Sequence, residues 1–141
     1  MCIFCRIANG ELPASVVYED DFAMAFLDIQ PINPGHVLVI PKKHADSMVD
    51  LSEEDAEHMM RVGQIMDKAL RHSELRCEGV NMFIADGRAA GQDVNHVHLH
   101  VFPRFMEDGF EIRINSSARK PPGKEQLNET AAKLKQALQV V

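Results

Sequence analysis

Apolar and polar positions follow two periods along this chain, and the switches between them mark the elements. Val16-Val17-Tyr18-Glu19-Asp20 and Phe22-Ala23-Met24-Ala25-Phe26-Leu27-Asp28 are β-prone runs parted by an acidic turn, which predicts a hairpin. Pro31, Pro34 and Gly35 then break the chain. His36-Val37-Leu38-Val39-Ile40 is almost continuously apolar and reads as a central strand ended by Pro41. The period changes at Ser52, an N-cap with Asp55 three positions on. Ala56, Met59, Met60, Gly63, Met66 and Leu70 then share one helical face, a methionine-rich stripe expected in the core, and Gly79 is expected to end the segment.

Beyond it, Val80-Asn81-Met82-Phe83-Ile84 predicts another strand, and a glycine-punctuated loop runs from Asp86-Gly87 to Gly91. Val97 to Phe102 alternates strictly and is the last predicted strand. Pro121-Pro122-Gly123 precedes a final helix in which Leu127, Ala131, Leu134 and Leu138 recur at helical spacing. Five strands in hairpin-like succession with two main helices predict an α+β fold built on a largely antiparallel sheet.

Composition narrows the setting. At 141 residues the chain is expected to form one domain with a real core and no need of disulfide staples. A formal charge of −6 argues against a general nucleic-acid or anionic-membrane binder, because those need a basic surface. A small phosphorylated ligand stays open, since a pocket can differ from the protein's net charge. No run approaches the roughly 18 apolar residues of a membrane span. Three cysteines, an odd number, do not make a secreted disulfide framework. Met1-Cys2-Ile3-Phe4-Cys5-Arg6 lacks the layout of a secretory leader, so a cytoplasmic location is expected.

The densest chemistry lies in Gly91-Gln92-Asp93-Val94-Asn95-His96-Val97-His98-Leu99-His100-Val101-Phe102-Pro103-Arg104. On a strand, His96, His98 and His100 share one face, and Val97, Leu99 and Val101 the other. Three imidazoles on one face would each need a partner if they served packing alone. One alternative is a metal site around all three, although the outer pair would stand about 13 Å apart at Cα. The other makes the central histidine a nucleophile. A neutral imidazole near its ordinary pKa of about 6.5 attacks phosphorus well, and the Gly91–Val94 turn can offer N–H groups to a phosphate.

These residues resemble the histidine-triad (HIT) family of nucleotide hydrolases and transferases. The likeness runs from Cys2-Ile3-Phe4-Cys5 through Ala25-Phe26-Leu27-Asp28-Ile29 and Pro34-Gly35-His36 to Lys42-Lys43-His44 and the His-x-His-x-His strand. It covers about residues 1–105 and leaves 106–141 as a tail with a C-terminal helix. The resemblance implies a protomer that pairs into a homodimer with a continuous ten-stranded sheet. It matches His98 to a nucleophile that forms a nucleotidyl-histidine, and His100 and His36 to histidines at the phosphate. Gln92 would help to stabilise the phosphate oxygens. Asp28 would accept the ribose hydroxyls of a purine nucleotide or nucleotide conjugate. Phe4, Ile7, Phe26, Leu27 and Ile29 would wall the base, and Asp93 and Val94 would lie beside the phosphate.

Two positions depart from the family pattern, one of them in the Ile84-Ala85-Asp86-Gly87 loop, where several relatives place an asparagine near the phosphate. Asp93 stands where many relatives carry Ser or Thr, and a charged carboxylate there repels phosphate unless it turns away or takes a proton. Cys2-x-x-Cys5 has three readings: a redox pair, core cysteines, or half of a zinc site. Some family members complete such a site with two histidines, which here match His44 and His96; a closed four-ligand zinc would be structural. The resemblance requires no metal for the chemistry itself. Cys77 is expected in the core, while His58 and His72 are expected to be exposed on the long helix.

Overall fold

The computed structural model describes residues 2–113 and 119–141. The chain divides into two compact units, Met1–Phe110 and Glu111–Val141. In the first unit, α1 (Ile3–Ala8) precedes β1 (Val16–Glu19), β2 (Ala23–Leu27) and β3 (Val37–Pro41); α2 (Glu53–His72), β4 (Gly79–Phe83) and β5 (Leu99–Arg104) follow. The strands form one sheet in the order β1-β2-β3-β5-β4, every pairing antiparallel. This is the α+β architecture the periodicities predict. In the second unit, α3 (Lys124–Ala137) begins right after Pro121-Pro122-Gly123, with Leu127, Leu134 and Leu138 exposed.

Strand alternation gives the sheet two different faces. Ala23, Ala25, Val37, Val39, Leu99 and Val101 point toward α2 and pack with its Met59, Val62, Met66 and Leu70. Their neighbours in sequence, Met24, Phe26, Leu38 and Ile40, point the other way and meet Phe4 of α1. A 20-residue helix thus seals one face, while a 6-residue helix covers only part of the other. The partly covered face receives His100, opposite Leu38 of β3 and Phe83 of β4.

Local chemistry explains the long helix and corrects its stripe. Ser52 Oγ accepts the Asp55 N–H at 3.1 Å, and three acidic residues occupy the first turn, where the helix dipole favours them. Gly63 is required by close approach: a Cβ there would meet Leu99 Cδ2 at 2.6 Å. Met60, expected in the buried stripe, is 53% exposed, and Val62 is buried in its place. Met60 stands one step of about 100° round the helix from buried Met59, on the side away from the sheet. The helix ends at His72, not at Gly79, which opens β4.

Two further expectations shift. His58 is only partly exposed; its Nε2 lies 2.7 Å from Asp20 Oδ2, tying α2 to the β1–β2 turn. Asp20 also accepts the Phe22 and Ala23 N–H groups, and these bonds hold its carboxyl well below the usual range despite its partial burial. The last strand starts at Leu99, not Val97, because the chain bends sharply before it: His96 N–H donates to Val94 O and Val97 N–H to Ala45 O. No helix among the described residues is long and apolar enough to cross a membrane.

Candidate active site and metal centre

The bend ahead of β5 sends the three sequence-adjacent histidines to different places. Each ring can be given its proton from its hydrogen-bond partners. His98 is buried, and its Nδ1–H donates to the His96 carbonyl at 2.7 Å. Its Nε2 therefore carries a free lone pair, and this nitrogen lies at the floor of a cavity of about 680 Å³. Phe4 fixes the ring from one side, edge-on at 5.2 Å.

The cavity collects the residues expected to hold a nucleotide. Phe4, Ile7, Phe26, Leu27 and Ile29 form its apolar walls, and Asp28, Asp93, Val94, His98 and His100 line it beside them. Phe26 is both core and wall, whereas Ile29 is 95% exposed and serves no packing role in the chain. Ile3, Pro13, Ala14 and Leu38 also line it. Alternation on β3 makes Leu38 discoverable from sequence; the segment around Pro13 carries no such signal.

His36 stands behind His100 and does not line the cavity. Its Nδ1 accepts the Ile32 N–H at 3.1 Å, so Nε2 bears the proton and donates to His100 Nδ1 at 2.9 Å. His100 in turn keeps its own proton on Nε2, as a donor toward the cavity. Burial lowers the pKa of both rings, His100 to about 4 with help from neighbouring His98 and His36. Asp28 accepts the Gln30 N–H with Oδ1, and its Oδ2 is 3.6 Å from His36 Nε2. Both rings are thus kept neutral and oriented.

Gln92 departs from its expected place at the phosphate. Its Oε1 accepts the Gly87 N–H at 2.7 Å, and its Nε2 donates to Asp46 O and Val94 O. The amide braces the loop, whose Gly87 and Gly91 adopt positive φ, and it does not line the cavity. Asp93, next to it, is the residue that reaches His98: Oδ1 is 3.5 Å from His98 Nε2.

His96 turns away from the cavity toward α1. Its Nε2–H donates to Pro41 O at 2.8 Å, leaving the Nδ1 lone pair aimed at Cys2 Sγ (3.4 Å) and Cys5 Sγ (3.6 Å). His44 is set the same way: Nε2–H donates to Asp46 Oδ1, and Nδ1 lies 3.2 Å from both Cys5 Sγ and His96 Nδ1. All four ligand atoms fall within 4.8 Å of one another. Two imidazole lone pairs facing each other repel unless a cation lies between them. Tetrahedral bonds of about 2.0 Å to nitrogen and 2.3 Å to sulfur place such ligands roughly 3.3–3.8 Å apart. The observed spacing fits. Burial and the adjacent Cys2 push the Cys5 thiol up, so a cation is what would hold it as thiolate. Asp46 and Pro41, which orient the two rings, were not legible as part of the site.

The fold and the paired clusters define a histidine-triad protein, and the comparisons agree. The HIT domain family model matches residues 9–107, and the chain belongs to that family. It is 46% identical over 113 residues to an uncharacterized HIT-like protein of Borreliella burgdorferi, covering 79% of this chain and 81% of that one. It is 39% identical over 107 residues to an adenosine 5′-monophosphoramidase of Schizosaccharomyces pombe, covering 76% and 77%. Among solved structures it resembles a zinc-bound histidine triad family protein from Mycobacterium smegmatis, with a TM-score of 0.76, 40% identity and 96% of each chain covered.

Proposed function

We propose that this protein is a nucleotide hydrolase or nucleotidyl transferase in which His98 Nε2 attacks the α-phosphorus of a purine nucleotide conjugate. One observation carries the reading: the His96 carbonyl accepts a hydrogen bond from His98 Nδ1–H and leaves the other nitrogen with a free lone pair at the cavity. Attack forms an Nε2–P bond as the bond to the departing group breaks, and that group leaves with the electron pair and takes up a proton. The positive charge on the ring is stabilised through Nδ1–H by the same carbonyl. His100 Nε2–H donates to a phosphoryl oxygen while His36 holds its ring. Water then attacks phosphorus and releases His98. Asp28 accepts ribose hydroxyls, a task suited to a carboxylate with lone pairs to spare, and the apolar walls hold the flat base. Gln92 shapes the loop that carries Asp93 and Val94.

Cys2, Cys5, His44 and His96 would hold one structural zinc. Bound there, zinc supplies a fixed double charge that keeps both thiolates ionised and closes the coordination sphere. No step of the reaction passes through it. Reduced thiols of this kind suit the cytoplasm.

We also read the protein as a homodimer joined along β4. That strand is an unpaired sheet edge, and beside it Met60, Gln64 and Met82 border an open hollow. Exposed Met60 and Phe83 are apolar surface at an edge that a second copy would cover.

The test is turnover of a nucleoside phosphoramidate, an acyl nucleotide and a dinucleoside polyphosphate by purified protein. Turnover of at least one is expected, undiminished by added chelator during the assay. Tight nucleotide binding with no turnover of any would replace this reading with that of a nucleotide-binding adaptor.

A further inference from the structure

We propose that Asp93 selects substrates by charge, admitting conjugates whose departing group is neutral or cationic and rejecting those whose departing group is anionic. The inference rests on the nucleotide reading above and deepens it.

Three observations carry it. Asp93 Oδ1 lies 3.5 Å from His98 Nε2, and its side chain is 80% exposed toward the ligand space. Both atoms are acceptors when His98 is neutral, so neither satisfies the other, and a bound group that brings N–H donors between or beside them does. Second, the backbone that carries Asp93 is held by its surroundings. Gly91 takes a left-handed φ of 88°, and Gln92 is tied to Gly87, Asp46 and Val94, so the backbone on either side of Asp93 is fixed. Third, the described residues that line the cavity do not offset the charge. Among the described residues that line the cavity there is no Lys or Arg, and the other charged one is Asp28, also a carboxylate.

A phosphate site is ordinarily cationic, whereas the side chains that line this one offer only neutral donors: the imidazoles, the Ser15 hydroxyl and the Gln30 amide. It tolerates the single negative charge at the α-phosphoryl group. Each further charge on the departing side is repelled by Asp93 as the Nε2–P bond forms and the bond to that group breaks, because the group leaves carrying the electron pair. An amine leaving group carries N–H donors and, once protonated, a positive charge that Asp93 attracts. Because Asp93 is well exposed, water screens the effect, which should amount to about tenfold over two added charges.

The test is a charge ladder in magnesium-free buffer: calorimetric affinities for AMP, ADP and ATP with wild-type protein, Asp93→Asn and Asp93→Glu. Wild type should bind ATP about tenfold more weakly than AMP, and salt should shrink that gap. Asp93→Asn should bring it within about threefold at low salt, and Asp93→Glu should restore it. A purely structural role would weaken all three ligands equally and leave the ladder unchanged. An unchanged ladder in Asp93→Asn, or a wild-type ladder that is flat or rises with charge, overturns the inference. If wild type binds none of the three, the nucleotide reading itself fails and the inference falls with it.

Discussion

The Cys2–Cys5–His44–His96 cluster and the Asp28–His36–His100 group each bring metal-capable atoms within 4.8 Å, yet the fold prepares them for opposite tasks. In the first, Asp46 and Pro41 take the Nε2 protons of His44 and His96, so both inward nitrogens are lone pairs. In the second, the Ile32 N–H occupies His36 Nδ1 and forces a proton onto the nitrogen that faces His100. The same side chain presents a lone pair in one place and a hydrogen-bond donor in the other. The deciding group is the one behind the ring. His98 is the third outcome: the carbonyl of His96, itself in the first cluster, accepts its Nδ1–H and leaves Nε2 with a free lone pair.

The largest effect should come from the ring that links the two regions. His98→Asn is expected to reduce kcat by at least a thousandfold, about 4 kcal/mol of barrier, while nucleotide affinity changes by no more than about threefold. Steady-state kinetics beside calorimetry measure both, and a variant with a tenth of wild-type activity would contradict the assignment. Asp28→Ala should cut the preference for ribonucleotides over 2′-deoxy analogues by roughly ten- to a hundredfold. A site built to bond a hydroxyl penalises its absence, and the variant no longer does so.

Metal content breaks the comparison most cleanly. Elemental analysis should find one zinc per chain in wild type and in Asp28→Ala, and none in Cys2→Ser or Cys5→Ser. Cysteine variants should melt about 10 °C lower and lose roughly tenfold in kcat, because His96 carries the carbonyl that orients His98. Zinc lost from Asp28→Ala but kept in Cys5→Ser would reverse the two assignments.

The smallest effect is in acid. Burial holds His100 at about 4 and His36 below its ordinary value, whereas in the unfolded chain both titrate near 6.5. As pH falls, the unfolded chain takes up these protons first. Their contribution to stability is therefore complete above about pH 6.5 and lost progressively toward pH 4. His100→Gln removes one of the two groups, so its Tm should fall by about 5 °C less than wild type between pH 7 and pH 4.5. Parallel Tm curves would show that His100 is not held neutral by the fold.

Much of this was legible in the residues, for identifiable reasons. A β-prone run located β2, continuous apolarity located β3, and alternation located the buried face of β5, because a strand covered by a helix must place every second residue in the core. The eight side chains expected around the nucleotide, from Phe4 to Val94, all reached one cavity. Local turns were not legible. The His-x-His-x-His run reads as one flat strand face, but the Val94–His96 and Ala45–Val97 bonds fold it before Leu99 and separate His96 from His98. Gln92 failed for a similar reason: a side-chain amide bonds whichever backbone group comes nearest, and nothing in its spacing reveals that Gly87 and Asp46 will be there. Met60 was misplaced because the α2 stripe is narrow where Gly63 lets the helix sink against Leu99.

The central claim is that His98 Nε2 becomes covalently nucleotidylated. Wild-type protein mixed with an adenosine 5′-phosphoramidate, quenched within milliseconds and kept at alkaline pH, should gain the mass of one adenylyl group, and peptide mapping should place it on His98. An adduct that never forms under single-turnover conditions while product appears, or one that maps to His36, His96 or His100, would contradict the account.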